Sequence, residues 1–294
     1  MAEAIGGPGT QVERVERLKG GLACSTHAVR LSGVGWVVVK RSLAGGRSLS
    51  MEHDALVVAR RSAVPTPEPL ALDRRGDWFG RPALAMSRLP GRSDLHGGRP
   101  GPWIVELAEA VAAVHATPMP ARLPVALRRP HAWQAWDVPT PTQVRRTPLV
   151  ERALAEVVSL QSAMSRRPPA TTFVHHDLHP GNVAWHRGRL SAVLDWNEAR
   201  LGPAVSDVAY CSVDLAMSHG RRGAELLVDA YVAASGGSMG DLPRWQLFWA
   251  VNAMRWIPYW REGYVELGLG HISIDTLRKR LRTFTERTLA DIGA

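Results

Sequence analysis

Apolar positions along this chain change their period several times, and each change predicts a new element. Trp36-Val37-Val38-Val39 runs into Lys40 after Ser32-Gly33-Val34-Gly35, which predicts a turn and then a strand. From Met51 to Ala59 the spacing is helical, with an end near Ser62 ahead of the Pro65-Thr66-Pro67-Glu68-Pro69 break. Leu107, Val111 and Val114 share one helical face behind Gly101-Pro102, where proline suits a first turn. The proline-rich stretch 117–149 breaks every period and reads as an irregular connection or insertion; Trp133 and Trp136 within it suggest packing. Helical spacing resumes over 149–165, 222–234 and 242–260, and again at Ile274, Leu277, Leu281 and Phe284. A β-rich first part and a mainly helical remainder predict an α+β chain of two lobes.

Between two of those helices lies a different pattern. Val183-Ala184-Trp185 reads as a strand, His186 to Arg189 as a turn containing Gly188, and Leu190 to Leu194 as the return strand. Pairing Trp185 with Leu190 sets Asn182 opposite Val193, with Asp195 two residues further along the same open end. Diagonal neighbours there lie roughly 7–8 Å apart, so one amide oxygen and one carboxylate could converge on one cation. Asp177 enters five residues before Asn182, from a Pro180-Gly181 loop. Two carboxylates and an amide around one hairpin are the inventory for holding a divalent ion beside a phosphate while a base takes a proton from an incoming hydroxyl.

The segment His175-His176-Asp177-Leu178-His179-Pro180-Gly181-Asn182, followed by Leu194-Asp195-Trp196, resembles the catalytic loop and metal segment of the aminoglycoside phosphotransferase and choline kinase-like family. Gly202-Pro203-Ala204-Val205-Ser206-Asp207-Val208-Ala209 is similar to that family's Gly-x-Pro-x-x-Asp-Leu-Ala element, with proline one position early. The resemblance implies a two-lobed, protein-kinase-like fold, with a small β-rich N-lobe and a larger, mainly helical C-lobe. It also implies ATP-dependent, Mg²⁺-dependent transfer of phosphate to a hydroxyl of a small molecule such as an antibiotic, sugar or amino alcohol. In that light Asp177 is the catalytic base, Asn182 and Asp195 are the Mg²⁺ ligands, and Asp207 braces the loop. One departure stands out: His176 occupies the family's usual glycine. If the backbone there needs positive φ, histidine tolerates it less well, and His176→Gly is expected to leave stability unchanged or slightly raised.

Of 36 basic residues only Lys19, Lys40 and Lys279 are lysine, so arginine is the default cation. A flexible ammonium at the end of a strand suits a point-charge contact to phosphate; an edge-strand lysine opposing aggregation is the plainer alternative. The resemblance favours the first, with Lys40 on the α/β-phosphates. It also implies that Glu52 pairs with Lys40, although a helix-start carboxylate needs no such partner. By position, Gly20, Gly21 and Ser25 or Thr26 would cover the phosphates, while two glycines by themselves mark only a turn. Pro82 to Gly91 is similar to the strand and hinge joining the lobes, with adenine bonded to main chain near Ser87 and Leu89 and the hinge near 86–89. That divides the chain into a nucleotide-binding lobe, 1–91, and a catalytic and acceptor-binding lobe, 92–294.

Composition narrows the remaining classes. Net charge is +9 and pI about 10.4 over 294 residues, which invites a nucleic-acid reading. The excess is spread over both halves, and its one dense run, Arg278-Lys279-Arg280-Leu281-Arg282, fits the outer face of a terminal amphipathic helix. Neither a nucleic-acid nor a membrane partner is expected. The N-terminus lacks a basic n-region and an apolar h-region, so cytoplasm is the default. Cys24 and Cys211 allow no disulfide framework. Nothing fixes the oligomeric state. His175, His176, His179 and His186 near Asp177 raise a metal-dependent hydrolase, but no His-Glu-x-x-His spacing supports it. A kinase-fold module that binds nucleotide without transferring phosphate is the other alternative. His179 reads as a loop-packing group, and His175 as orienting the loop through its ring nitrogens. Trp245, Trp249, Trp256 and Trp260 lie near one helical face, where core packing is a plainer reading than an acceptor wall. Glu225, Asp229 and Asp241 are balanced by Arg222, Arg244 and Arg255, which favours a neutral or singly charged acceptor over a polycation.

Overall fold

Five antiparallel strands form the small lobe: β1 (Val12–Arg17), β2 (Cys24–Leu31), β3 (Gly35–Ser42), β4 (Pro69–Asp73) and β5 (Ala83–Ser87), in the order β1-β2-β3-β5-β4. The computed structural model describes residues 1–18, 24–43, 49–124, 127 and 143–293. Alternation along β3 gives the sheet two different faces. Val37 and Val39 pack with Val29, Leu31 and Ala85 beneath the short helix α1 (Ala2–Gly6). Lys40 pairs with Thr26 and with Leu84, and Leu84 belongs to the larger core on the other face. That face is covered by α2 (Leu49–Ala59), whose Ala55, Leu56, Val58 and Ala59 are buried. The helix stops at Ala59, short of the expected end, because the N–H groups of Arg60, Arg61 and Ser62 take its last carbonyls in a closing turn.

The larger lobe contains α3 (Trp103–His115), α4 (Pro148–Arg166), α5 (Ala204–Ser218), α6 (Arg221–Ser235), α7 (Leu242–Tyr264) and α8 (Ile274–Gly293). Thr147 caps α4, its hydroxyl accepting from the Val150 N–H, with Pro148 in the first turn. Amphipathic periodicity finds five of these helices and misses α5. Every residue of α5 from Ser206 to Ser218 is buried, and it packs against α6, α7 and α8. A helix surrounded on all sides has no polar face, so no period marks it.

Short ladders set the site between the lobes. β6 (Thr172–Val174) pairs with β9 (Arg200–Gly202), and β7 (Val183–His186) pairs with β8 (Arg189–Val193). The β7–β8 turn is Arg187-Gly188, both at positive φ (51° and 77°), the two-residue geometry that matches strand twist. The expected register needs a correction. Trp185 does face Leu190, but a bulge at Ser191 then pairs Ala184 with Ala192 and Val183 with Val193. The Ser191 hydroxyl bonds to the Pro90 and Ala184 carbonyls. Asn182 therefore meets Leu194, whose N–H donates to its carbonyl at 2.8 Å, and Asp195 lies one residue beyond rather than two. The hairpin also ties the lobes together. Arg92 exchanges main-chain bonds with Trp185, and Gly91, at φ 108°, passes so close that a Cβ would meet the Trp185 carbonyl at 2.7 Å. The stretch 128–142, with Trp133 and Trp136, lies outside the described residues, as do Gly20 and Gly21.

Candidate active site

The loop 175–182 is held from beneath by a carboxylate on α5. Asp207 accepts the main-chain N–H of His175 at 2.8 Å and of His176 at 2.7 Å, and His115 approaches it at 3.2 Å. Burial alone would raise the Asp207 carboxyl; the bond from His115 and the histidine charges around it bring it down to about 2. It is thus an anion at any ordinary pH, as a loop brace requires. His175 orients the next residue. Its Nε2 donates to the Leu194 carbonyl at 2.9 Å, leaving Nδ1 to accept the Asp177 N–H at 3.3 Å. His176 does have positive φ, 65°. Its ring is buried, close to the Trp249 ring, and rests where a Cβ on Gly202 would meet its Nε2 at 3.0 Å. The expectation of a merely strained histidine is incomplete, because the side chain also fills a space shaped for it.

Asn182 and Asp177 are locked together. The Asn182 amide nitrogen donates to the Asp177 carbonyl at 2.8 Å and to its Oδ2 at 2.9 Å. Asp195, just past the bulge, has φ 61° and is fixed by the fully buried Trp196, which stacks on Phe173 and donates to the Val193 carbonyl. Its Oδ1 accepts from Lys40 Nζ at 2.8 Å and from Asn197 at 3.0 Å. Lys40 Nζ also reaches Glu52 Oε1 at 2.5 Å. Burial disfavours the ammonium, but Asp195 and Glu52 more than reverse that and raise its pKa. Asp195 is pushed up by burial and pulled further down by Lys40, so its net shift is downward. Glu52, only 1% exposed, is pushed up by burial against the pull of Lys40. Residues far apart in sequence thus form one charge chain, Glu52–Lys40–Asp195.

The other side of Asp177 is neutral and aromatic. Tyr210, on α5, donates its hydroxyl to Asp177 Oδ1 at 2.6 Å. Burial pushes the Asp177 carboxyl up, while His179 and the Tyr210 bond restrain the rise. The Tyr210 ring meets Trp249 edge-on at 4.7 Å and Trp260 at 6.0 Å. Behind them Tyr264 donates to Asp214 at 2.6 Å, and His179 lies 3.6 Å from the same carboxylate. Sequence reasoning did not find Tyr210. The available signal was its place one turn after Asp207, on the helix face aimed at the loop.

The four tryptophans of α7 divide. Trp245 and Trp249 are core, Trp249 donating to Ser206, whereas Trp260 faces Tyr210 and Trp256 is 45% exposed beneath the Arg255 guanidinium. Helical period shows a shared face but not how far the packing partners extend. Ser25 is not brought to the site: it pairs with Arg41, so alternation places it on the opposite sheet face from Lys40, which Thr26 shares. Ser87 ends β5, its N–H and hydroxyl both engaged with the Glu68 main chain. Two residues on, the main-chain groups of Leu89 have no protein partner among the described residues.

Comparison with known proteins agrees with this fold. The profile of the phosphotransferase enzyme family matches residues 14–248. No curated protein sequence matches the chain. An amicoumacin kinase solved with AMP-PNP and Ca²⁺ superposes with TM-score 0.65 at 15% identity, covering 96% of this chain and 89% of that one. A microcompartment-associated aminopropanol kinase gives 0.64 at 16% identity, covering 94% and 90%. A spectinomycin phosphotransferase with ADP and spectinomycin gives 0.61 at 12%, covering 94% of each. At such identities the likeness speaks for the two-lobed, kinase-like fold. Among the described residues no helix is long and apolar enough to cross a membrane.

Proposed function

The chain belongs to the phosphotransferase enzyme family, and from that premise we propose that it transfers the γ-phosphate of ATP to a hydroxyl of a small molecule, with Mg²⁺. The observation that carries this reading is the convergence of Glu52, Lys40, Asp195, Asn182 and Asp177 at the lobe junction. Lys40, held by Glu52, would contact the α/β-phosphates. The main chain at Leu89 is open to an adenine edge, and the lobes divide at Gly91, directly before the Arg92–Trp185 bridge.

The donors present fit a hard cation. Asn182 directs its amide nitrogen to Asp177, which leaves its amide oxygen for a metal. Asp195 uses Oδ1 for Lys40 and Asn197, which leaves Oδ2. One carboxylate and one amide, completed by phosphate oxygens and water, suit Mg²⁺ better than an all-protein cage would. When bound, the ion supplies charge neutralisation to the polyphosphate. Asp177 would orient the acceptor hydroxyl and accept its proton as the new oxygen–phosphorus bond forms and ADP departs.

The acceptor we favour is neutral or singly charged with an apolar body. Trp260 and Tyr210 supply the surface, and Asp214, the carboxylate behind them, is already engaged by Tyr264 and faced by His179 rather than open to a polycation. A screen of ATP consumption over aminoglycosides, macrolides, sugars and amino alcohols tests this directly. Turnover confined to polyamine-like aminoglycosides would refute the charge argument. Metal involvement has its own test. ATP should raise the melting temperature more with Mg²⁺ than with EDTA, and Asp195→Ala should remove that increment. Strong nucleotide stabilisation without metal dependence or transfer would instead identify a non-catalytic module.

A further inference from the structure

The side of Asp177 that must receive an acceptor is already covered by the protein. Asp177 Oδ2 and its main-chain carbonyl are taken by Asn182, so Oδ1 is the oxygen left to receive a proton, and the Tyr210 hydroxyl sits on it at 2.6 Å. That distance is typical of a charge-assisted O–H···O⁻ bond. Among the described residues the phenol bonds to nothing else, and packing alone would be served by phenylalanine. The ring is not held equally on both sides. Trp249 is buried and anchored, its indole donating to the Ser206 carbonyl and hydroxyl. Trp260 is only half-buried, lies two residues after Pro258 inside α7, and precedes the non-helical Leu267 and Gly268.

We propose that Tyr210 caps the base in the free enzyme: its hydroxyl holds the place of an acceptor hydroxyl, keeps water off Asp177, and yields toward Trp260 when an acceptor enters. This rests on Asp177 being the base. The reaction so prevented is transfer to water. In it a water oxygen would bond to the γ-phosphorus, the bond from that phosphorus to the bridging oxygen would break with its electron pair leaving on ADP, and the water proton would pass to Asp177. Excluding water is the usual defence against that loss. Tyr210 is a gating and positioning residue in this scheme, and it selects acceptors whose body can replace the phenol beside Trp260.

The test is ADP release by the full-length chain with saturating Mg·ATP and no acceptor. Tyr210→Phe keeps the ring and removes the hydroxyl; it should raise acceptor-free ADP release at least about threefold with Mg·ATP affinity unchanged. Adding Asp177→Asn to that variant should abolish the rise. If Tyr210→Phe binds Mg·ATP normally but releases ADP no faster than the parent, the cap is refuted while Asp177 keeps its role. If the rise survives in the double variant, Asp177 is not the base and the cap falls with it. Should Tyr210→Phe fail to fold, Trp260→Ala loosens the same ring from a half-buried position, where a rise supports the cap and no rise overturns it.

Discussion

The two sides of the cleft are built from opposite materials. Toward the small lobe, Glu52, Lys40 and Asp195 form alternating charges in direct contact. Toward the helical lobe, Asp177 meets a phenol and an amide, and the phenol is backed by indole rings. The consequence appears in the two carboxylates: Lys40 pulls Asp195 below its ordinary range, while burial lifts Asp177 above its own. A low-pKa carboxylate suits metal and phosphate, and a raised one suits proton transfer. In the proposed reaction the charged side would hold a chemically constant cosubstrate and match it by charge, while the neutral side would match a variable acceptor by shape.

The largest effect should follow from breaking the neutral side at its carboxylate. Asp177→Asn preserves volume and the Asn182 and Tyr210 neighbours, so Mg·ATP should still raise the melting temperature as in the parent. Phosphoryl transfer should fall by roughly 10²–10⁴-fold, the usual contribution of a positioned base. Steady-state kinetics with an acceptor found in the screen would read this, and parental kcat would contradict the assignment.

Breaking the charged side should instead cost stability. Lys40→Met leaves Glu52 buried with no cation, which should destabilise the fold by about 3 kcal/mol in urea denaturation. The sign of its pH dependence follows. Without Lys40 the folded-state pKa of Glu52 stays raised by burial, so the protonated group's contribution is present at low pH and lost as pH rises through that pKa. The variant should therefore lose stability as pH increases, and Lys40→Met with Glu52→Gln should recover most of the loss. A flat pH response in the single variant would show that Glu52 keeps enough water to remain solvated.

That contrast also explains what could be read from the chain before its structure. Asp177, Asn182 and Asp195 could be grouped from residue type and spacing, Lys40 and Glu52 through the family resemblance, and the structure brings the five side chains together. Asp207 was expected as a brace from that same resemblance, and its carboxylate does hold the His175 and His176 N–H groups. Tyr210 was not legible, because it lies on α5, whose apolar surroundings erase the helical period. Asp195 sits one register step nearer Asn182 than alternation suggested, since a bulge at Ser191 follows from local hydrogen bonds rather than from any pattern. Ser25 failed for a simpler reason: its neighbour Thr26 shares the Lys40 face, and a shift of one residue reverses a side chain. The tryptophans of α7 were legible as a stripe but not as two populations, because exposure depends on where α7 outlasts its partners.

A second stability effect sharpens the neutral side. Burial holds His176 down to about 4, and His175 and His219 are also lowered, burial being the largest cause in each. A depressed folded pKa contributes stability that is fully present above the unfolded value, near 6.5. That stability is lost as pH falls through the folded pKa. For His176 alone the loss between about pH 6.5 and 4 is on the order of 3 kcal/mol. Asp207 adds little in this window, because its stabilisation is lost only as pH falls from the unfolded value of 3.8 to the folded value of about 2. Melting temperature should therefore fall steeply from pH 7 to pH 4.5, well before the loop brace titrates. Constant stability over that range would mean that these rings reach water.

The smallest effect isolates His176 at neutral pH. Glycine there relieves positive φ, worth about 1 kcal/mol, but it also removes a buried ring packed against Trp249 and the bare backbone of Gly202. Deleting a buried side chain of that size costs about 2–4 kcal/mol when the space cannot collapse, and Gly202 has no side chain to close it. The balance predicts that His176→Gly is destabilised by roughly 1–3 kcal/mol at pH 7, with kcat and nucleotide affinity near parental. The same variant should lose much of the acid sensitivity, because the titrating ring is gone. His176→Gly paired with Gly202→Ala extends the test: the added methyl would meet Val174 Cγ2 at 2.9 Å and His176 Nε2 at 3.0 Å, so removing the ring relieves one of two close contacts, and Gly202→Ala should damage the parent more than the glycine variant. Equal damage in both backgrounds would show that Gly202 is constrained by Val174 rather than by the histidine that stands where the family has glycine.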